Sequence, residues 1–190
     1  MKFFTFSLCF LPLLLWGEKF TTELRGGYFY PFSHVMREIY KSGGPEIEVE
    51  QTANVYENLN LWLNFNYFQR SGHSLGLKHP TSIHLYPLSL GVKYNISLMN
   101  NLDLYLGLGG SYTWANIHDN SSFVKQHIHR QGFGGVGKFG FLYFFGKRFF
   151  IDLYADYYYT KICGVHHSHN QSTSQNVGGL RTGLGWGASY

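Results

Sequence analysis

Hydrophobic and polar residues alternate with a period of two along the last twelve residues of the chain, GLRTGLGWGASY. One set of alternate positions is mainly apolar and comprises Leu180, Thr182, Leu184, Trp186, Ala188 and Tyr190. The other set contains small residues and one cation: Gly179, Arg181, Gly183, Gly185, Gly187 and Ser189. Because successive side chains of a strand point to opposite faces, the pattern predicts a β-strand with a large apolar face and a small polar face.

The same alternation recurs in seven earlier segments of the chain. They cover residues 20–30, 47–55, 59–67, 84–96, 102–114, 133–145 and 149–159. Eight alternating segments of about ten residues, separated by turn-rich stretches, are typical of a membrane-spanning β-barrel. The sequence therefore predicts an all-β fold, an eight-stranded antiparallel up-and-down transmembrane β-barrel.

The polar faces of these segments carry charges of both signs, whereas the apolar faces carry none. A charged side chain that faces lipid at the bilayer midplane costs about 2–4 kcal/mol, so the charged faces are expected to line the lumen. Opposite charges enclosed there are expected to pair, since a buried charge requires a partner. The predicted lumen charge network consists of Glu23, Arg25, Glu48, Glu50, Lys93, Asp103, Lys138, Asp152, Asp156 and Arg181.

The connections between the segments alternate in length. Residues 57–58, 97–101 and 146–148 form short connections, whereas residues 31–46, 69–83, 115–132 and 160–174 form long ones. Short periplasmic turns opposite long extracellular loops are the arrangement of outer-membrane barrels. Aromatic residues such as Tyr28, Tyr30 and Trp114 fall near segment ends, where membrane interfaces favour them.

The N-terminal segment has a different character. Lys2 precedes an apolar stretch over residues 3–16, which is too short for a membrane-spanning helix. This pattern predicts a cleavable signal peptide at residues 1–17, followed by one β-barrel domain at residues 18–190. Charged residues make up 14 % and aromatic residues 19 % of the chain, a composition that excludes a disordered protein.

The C-terminal stretch NVGGLRTGLGWGASY resembles the closing strand of the small outer-membrane barrel superfamily, the outer-membrane-protein-A-type transmembrane domain and its relatives. The resemblance covers the whole chain after residue 17. It implies integral localisation in the bacterial outer membrane, in contact with lipid and lipopolysaccharide. It also implies that Leu184, Trp186 and Tyr190 form a signal for the barrel-assembly machinery. Tyr190 stands where the superfamily more often has phenylalanine.

The expected outer loops are basic and contain nine of the ten histidines, and His84 lies at the edge of the second loop. Their Lys and Arg side chains suit lipopolysaccharide phosphates or a host or surface ligand, although an ordinary solvated loop explains the pattern equally. The weak candidates for metal ligands are His127, His129, His166, His167 and His169; polar loops accept histidine readily, so no metal site is predicted. No cofactor is expected, because the glycine pattern at residues 132–137 leads into a strand rather than a helix. No nucleic-acid partner is expected either.

These observations predict a structural or surface-interaction protein without catalysis. Two alternatives remain open. The pair His166 and Ser168 resembles the His-x-Ser pair of outer-membrane lipid A deacylases, although no acidic residue follows Asp156 to orient the histidine. The other alternative is a narrow pore through the lumen.

Overall fold

The computed structural model describes residues 20–74, 79–119, 127–164 and 173–190. Within these ranges there is one helix, α1 (His34–Tyr40), and it is too short to cross a membrane. The strands are β1 (Phe20–Pro31), β2 (Gly44–Tyr56), β3 (Leu59–His73), β4 (Pro80–Met99), β5 (Leu102–Asp119), β6 (His127–Phe145), β7 (Phe149–Gly164), β8 (Thr173–Asn176) and β9 (Gly179–Ser189). The predicted signal peptide lies outside the described residues and stays a prediction.

Eight of these strands form a closed antiparallel ring. Each of β1 to β7 pairs with the next strand along the chain, and β9 pairs with both β7 and β1 to close the barrel. The four-residue β8 pairs with the outer end of β7 in the same register as β9, so it continues the eighth strand of the ring outward. The predicted eight-stranded up-and-down barrel is confirmed. Closure leaves no free sheet edge within the eight-stranded ring, as a strand-built protein in lipid requires.

The alternation of the sequence places apolar side chains on the outside of the barrel and polar side chains inside it. On β5, for example, Leu106 and Leu108 face outward while Tyr105 and Gly107 face inward. The exposed fraction of Leu108 is 72 %, whereas Lys138, on the polar face of the neighbouring β6, is buried. This arrangement is the inverse of a soluble barrel.

The strands at one end of the barrel are longer than the sequence pattern predicts. This is the end with the long connections, and we call it the outer end; the opposite end, with the short connections, is the turn end. Residues 69–73 continue β3 and residues 115–119 continue β5, although both stretches were expected to be loops. Backbone pairing persists there, with Ser71 opposite Ser82 and Asn116 opposite His129. In the extensions of β4 and β5 the alternation is reversed, because apolar Ile83 and Ala115 face inward whereas polar His84 and Asn116 face outward. The apolar outward pattern therefore ends although the strands continue.

Helix α1 lies in the first long connection, where a loop was expected. The Ser33 hydroxyl caps it by accepting a hydrogen bond from the Met36 amide at 3.5 Å. The helix ends at Lys41, and Gly43 with φ 104° returns the chain to β2. Its buried residues, Met36 and Tyr40, are four positions apart and therefore share one face. That face packs into the outer mouth of the barrel.

Candidate functional site

Arg25 is the centre of a charge cluster inside the barrel. It extends inward from β1, and its side chain is completely buried. Its guanidinium group contacts five carboxylates: Glu23 (2.8 Å), Glu48 (3.2 Å), Glu50 (3.2 Å), Asp152 (2.7 Å) and Asp156 (3.4 Å). These acids lie on β1, β2 and β7, so a single cation connects three strands across the interior of the ring.

Two buried lysines complete the centre of the cluster. The Lys138 Nζ lies 2.7 Å from Glu50 Oε2, 3.1 Å from Glu48 Oε1 and 2.9 Å from Asp156 Oδ2. The Lys93 Nζ lies 2.7 Å from Glu50 Oε1. These contacts join β4 and β6 to the acids of β2 and β7. The cluster thus cross-links the ring through its interior, in addition to the backbone pairing in its wall.

Arg181 on β9 forms a second group nearer the outer end. Its Nε lies 3.0 Å from Glu46 Oε2, and its guanidinium group lies over the Tyr158 ring at 3.4 Å from the ring centroid. Glu46 was assigned by sequence to a loop and is absent from the predicted network, but it is buried on β2. The alternation was not recognised around Glu46, because Gly44 and Pro45 precede it and the first large apolar residue of the outward set is Ile47.

Asp103 was also predicted to belong to the lumen network. It is the second residue of β5 and lies on the inward-facing set of that strand, but it is only half-buried. None of the ion pairs among the described residues includes it. The reason is its position at the turn end, where solvent reaches the side chain. The other nine predicted residues are all buried in the lumen.

Glycines provide the space that the large lumen side chains occupy. A Cβ atom on Gly109 would lie 2.5 Å from Trp62 Cζ2, and one on Gly91 would lie 2.6 Å from the same atom. A Cβ atom on Gly185 would collide with the carboxylate of Glu23. The eight-stranded ring is just wide enough for side chains to fill it. The high glycine content therefore admits Trp62 and the ion pairs of the cluster.

Apolar layers cover the charge cluster at both ends. The layer at the outer end combines strand residues with the buried face of α1: Phe29, Met36, Tyr40, Phe68, Ile83, Leu85, Ala115, Ile162 and Val177. The layer at the turn end consists of Tyr105, Leu142 and Phe150. The ion pairs are therefore sandwiched between two apolar layers, and side chains fill the lumen along the axis of the barrel.

The outside of the barrel carries an apolar belt between two aromatic bands. Its middle is mainly aliphatic and includes Leu24, Leu63, Leu90, Leu108, Leu153 and Leu184. The band near the outer end includes Tyr28, Tyr30, Tyr112, Trp114, Phe133, Tyr157 and Tyr159, and the band at the turn end includes Tyr56, Tyr94, Tyr143, Phe149, Trp186 and Tyr190. An exposed apolar belt between aromatic girdles is the surface that a lipid bilayer requires of a barrel.

The C-terminal residues of the predicted assembly signal lie on this belt. Leu184 and Trp186 point outward from β9, and the Trp186 indole stacks on Phe149 with ring centroids 5.8 Å apart. The backbone amide of Tyr190 donates a hydrogen bond to the carbonyl of Phe20 at 2.8 Å. The Tyr190 side chain itself is 78 % exposed. Their proposed role in assembly stays a prediction.

The histidines of the outer end form no metal site within the described ranges. His84 Nδ1 lies 3.2 Å from the Tyr67 hydroxyl, and His129 Nδ1 lies 2.7 Å from Asn116 Oδ1. No cluster of three or more metal-ligand side chains occurs in the part of the chain that the structure describes. The side chain of His127, and residues 165–172 with His166, His167, Ser168 and His169, lie outside the described residues. The metal and hydrolase hypotheses therefore stay untested.

Comparison with known proteins identifies the fold. No protein-family model matches the sequence, and no curated protein matches it. Among solved structures, Neisserial surface protein A shares 14 % identity with a TM-score of 0.62, covering 92 % of this chain and 98 % of that chain. The Escherichia coli outer membrane protein W shares 13 % identity with a TM-score of 0.62, covering 90 % and 97 %. Ail of Yersinia pestis, solved with the heparin analogue sucrose octasulfate, shares 14 % identity with a TM-score of 0.55, covering 91 % and 97 %.

These structures and the observed ring describe the same architecture. The likeness extends over nine-tenths of the chain, and the apolar belt gives an independent physical reason to place the barrel in a bilayer. In fold, the chain therefore matches the small eight-stranded outer-membrane β-barrels, the class that its closing strand resembles, and its apolar belt indicates an integral membrane protein.

Proposed function

We propose that the protein is a non-catalytic, non-conducting barrel that presents its outer end at the bacterial surface. The observation that carries this proposal is the filled lumen. Nine buried charged residues of the predicted network, together with Glu46, occupy the centre, and an apolar layer covers each end. An ion that crossed would have to displace both layers and break the pairs around Arg25. The barrel is then a rigid support for the extensions at its outer end.

Planar-bilayer recording tests the closed lumen. The purified barrel is expected to give no steady conductance at moderate voltage. Arg25→Ala combined with Trp62→Ala, which removes the central cation and the largest buried side chain, serves as the opened comparison. Reproducible ohmic steps from the unmodified protein would refute the closed lumen and support the narrow-pore alternative.

We further propose that the outer end contacts anionic groups, either lipopolysaccharide phosphates or a sulfated or phosphorylated surface polymer. An open groove of about 590 Å³ there is lined by Lys41 and Arg70 together with Tyr67 and Gln69, and the carboxylate of its lining residue Glu46 is buried against Arg181. Immediately beyond the outer aromatic band, the outward faces of β4 to β6 turn polar with His84, Asn116 and His129. The likeness to Ail, which was solved with a heparin analogue, supports this proposal. Anionic oxygens form charge-assisted hydrogen bonds with such cations.

Binding to immobilised heparin at several salt concentrations tests the anion proposal. A double variant, Lys41→Gln with Arg70→Gln, is expected to elute at lower salt than the unmodified barrel. The matched control is Lys147→Gln with Arg148→Gln, which removes the same charge from the short connection at the turn end. Equal elution of the two double variants would assign any retention to net charge and contradict a site at the outer end.

A further inference from the structure

The outer mouth of the barrel contains an apolar pocket between α1 and the strand wall. Its volume is about 270 Å³. Helix α1 contributes Met36 and Ile39, and the facing strands contribute Ile83, Ala115 and Ile117. Met36, Ile83 and Ala115 also belong to the apolar layer of the outer end, so the pocket is a recess within that layer.

One cation lies in this otherwise apolar lining. Arg130 extends from the inward-facing set of β6 and is half-buried. Arginines deeper in the lumen contact carboxylates, but Arg130 has no ion pair or hydrogen bond to another residue in the described ranges. The rest of the lining offers no acid, since its other polar side chains are those of Tyr40, Ser74 and Thr81. A partly desolvated guanidinium group without an anion lacks a partner that could compensate for its burial.

We infer that the pocket binds a free medium-chain fatty-acid carboxylate. The aliphatic lining suits a hydrocarbon tail, and Arg130 suits a single carboxylate, which it can hold through two parallel hydrogen bonds. The enclosed volume is slightly below the range that is usual for sites of drug-sized molecules, which favours a short chain over a membrane lipid with several tails. This inference is independent of the anion groove, which is lined by other residues, among them Lys41 and Arg70.

The experiment measures binding of decanoate to the barrel in nanodiscs, with empty nanodiscs as the reference for partition into lipid. Saturable binding above that reference is expected. Decyltrimethylammonium has the same tail with a positive charge and is expected not to bind saturably. Decanoate confined to the lipid, or equal binding of the cation, would overturn the inference.

Three variants test whether decanoate binds in this pocket. Arg130→Gln is expected to weaken decanoate binding about tenfold, because a charge-assisted hydrogen-bonded contact is lost. Lys161→Gln makes the same charge change on the exposed face of the neighbouring β7 and is expected to leave the affinity unchanged. Ala115→Phe fills the pocket and is expected to abolish binding, with its fold checked by gel migration. Undiminished affinity of Arg130→Gln would refute the role of the guanidinium group even if Ala115→Phe failed to fold.

Discussion

The Arg181 Nε lies 3.0 Å from the Glu46 Oε2 inside the barrel, and both side chains are buried. The two residues lie on β9 and β2, which are separated in the ring by β1. Arg181→Leu leaves the Glu46 carboxylate buried without its cation, so the free energy of unfolding is expected to fall by about 3–5 kcal/mol. Urea unfolding of the refolded barrel measures this change.

A double variant controls for lost packing at this site. Arg181→Leu combined with Glu46→Leu removes both charges and is expected to recover much of the lost stability, since a buried ion pair is often replaceable by apolar side chains. Unchanged urea resistance of Arg181→Leu alone would contradict the pairing.

The numbers of buried acids and bases in the whole lumen predict that removing an acid costs less stability than removing a base. Six buried carboxylates (Glu23, Glu46, Glu48, Glu50, Asp152 and Asp156) face four buried bases (Arg25, Lys93, Lys138 and Arg181). Asp152→Asn keeps an oxygen for the Tyr105 hydroxyl and removes one excess negative charge, so it is expected to be nearly neutral for stability. Arg25→Met removes the shared cation and is expected to be the most destabilising single change in the cluster. Greater urea sensitivity of Asp152→Asn than of Arg25→Met would refute this account.

Two glycine positions test the packing of the lumen. Gly109→Ala places a methyl group against Trp62 and the Leu90 backbone, and it is expected to destabilise the barrel by about 1–3 kcal/mol or prevent folding. Gly26→Ala is the matched control, because a Cβ atom there meets nothing within 4 Å. The yield of folded barrel after refolding from urea is the measurement. Equal yields would show that Trp62 does not require the space beside Gly109.

Substitutions at Tyr190 distinguish a role in assembly from a role in stability. Tyr190→Lys is expected to lower outer-membrane abundance strongly while leaving refolding in detergent nearly intact, because the side chain is exposed and its hydrogen bond uses the backbone. Tyr190→Phe is expected to behave as the unmodified protein. Abundance of Tyr190→Lys in the outer membrane and refolding in vitro are measured in parallel. Normal abundance of the Lys variant would contradict the assembly signal, and failure in both assays would indicate a role in stability.

The fold was predictable because each membrane-spanning strand shows the alternation of apolar and polar residues that the barrel requires. Lipid outside and charge inside impose an apolar–polar alternation, and residues 59–67 show it with Trp62 as the one large apolar residue on the inward set. The strand extensions were not predictable, because the alternation of a lipid-facing strand is reversed there: polar Ser71 and Ser82 face outward, and apolar Ile83 faces inward. Helix α1 was missed because seven residues with Met36 and Tyr40 as the buried pair give too short a helical pattern.

The ion-pair partners within the lumen could be identified only from the structure of the closed ring. Periodicity places Arg25 and Arg181 inside, but the choice of acid depends on which strands face each other across the lumen. Arg25 reaches Asp156, which is 131 positions away in the sequence. Such a contact follows from closure of the ring and side-chain length, and neither is encoded in a local pattern.

The most direct measurement is gel migration of the purified protein before and after boiling, together with its dependence on detergent. The account predicts that the unboiled barrel needs detergent or lipid to remain in solution and migrates differently from the boiled chain, because the closed, ion-paired ring stays folded in the cold. Identical migration of the two samples, or a folded protein that stays soluble without detergent, would contradict a lipid-embedded barrel.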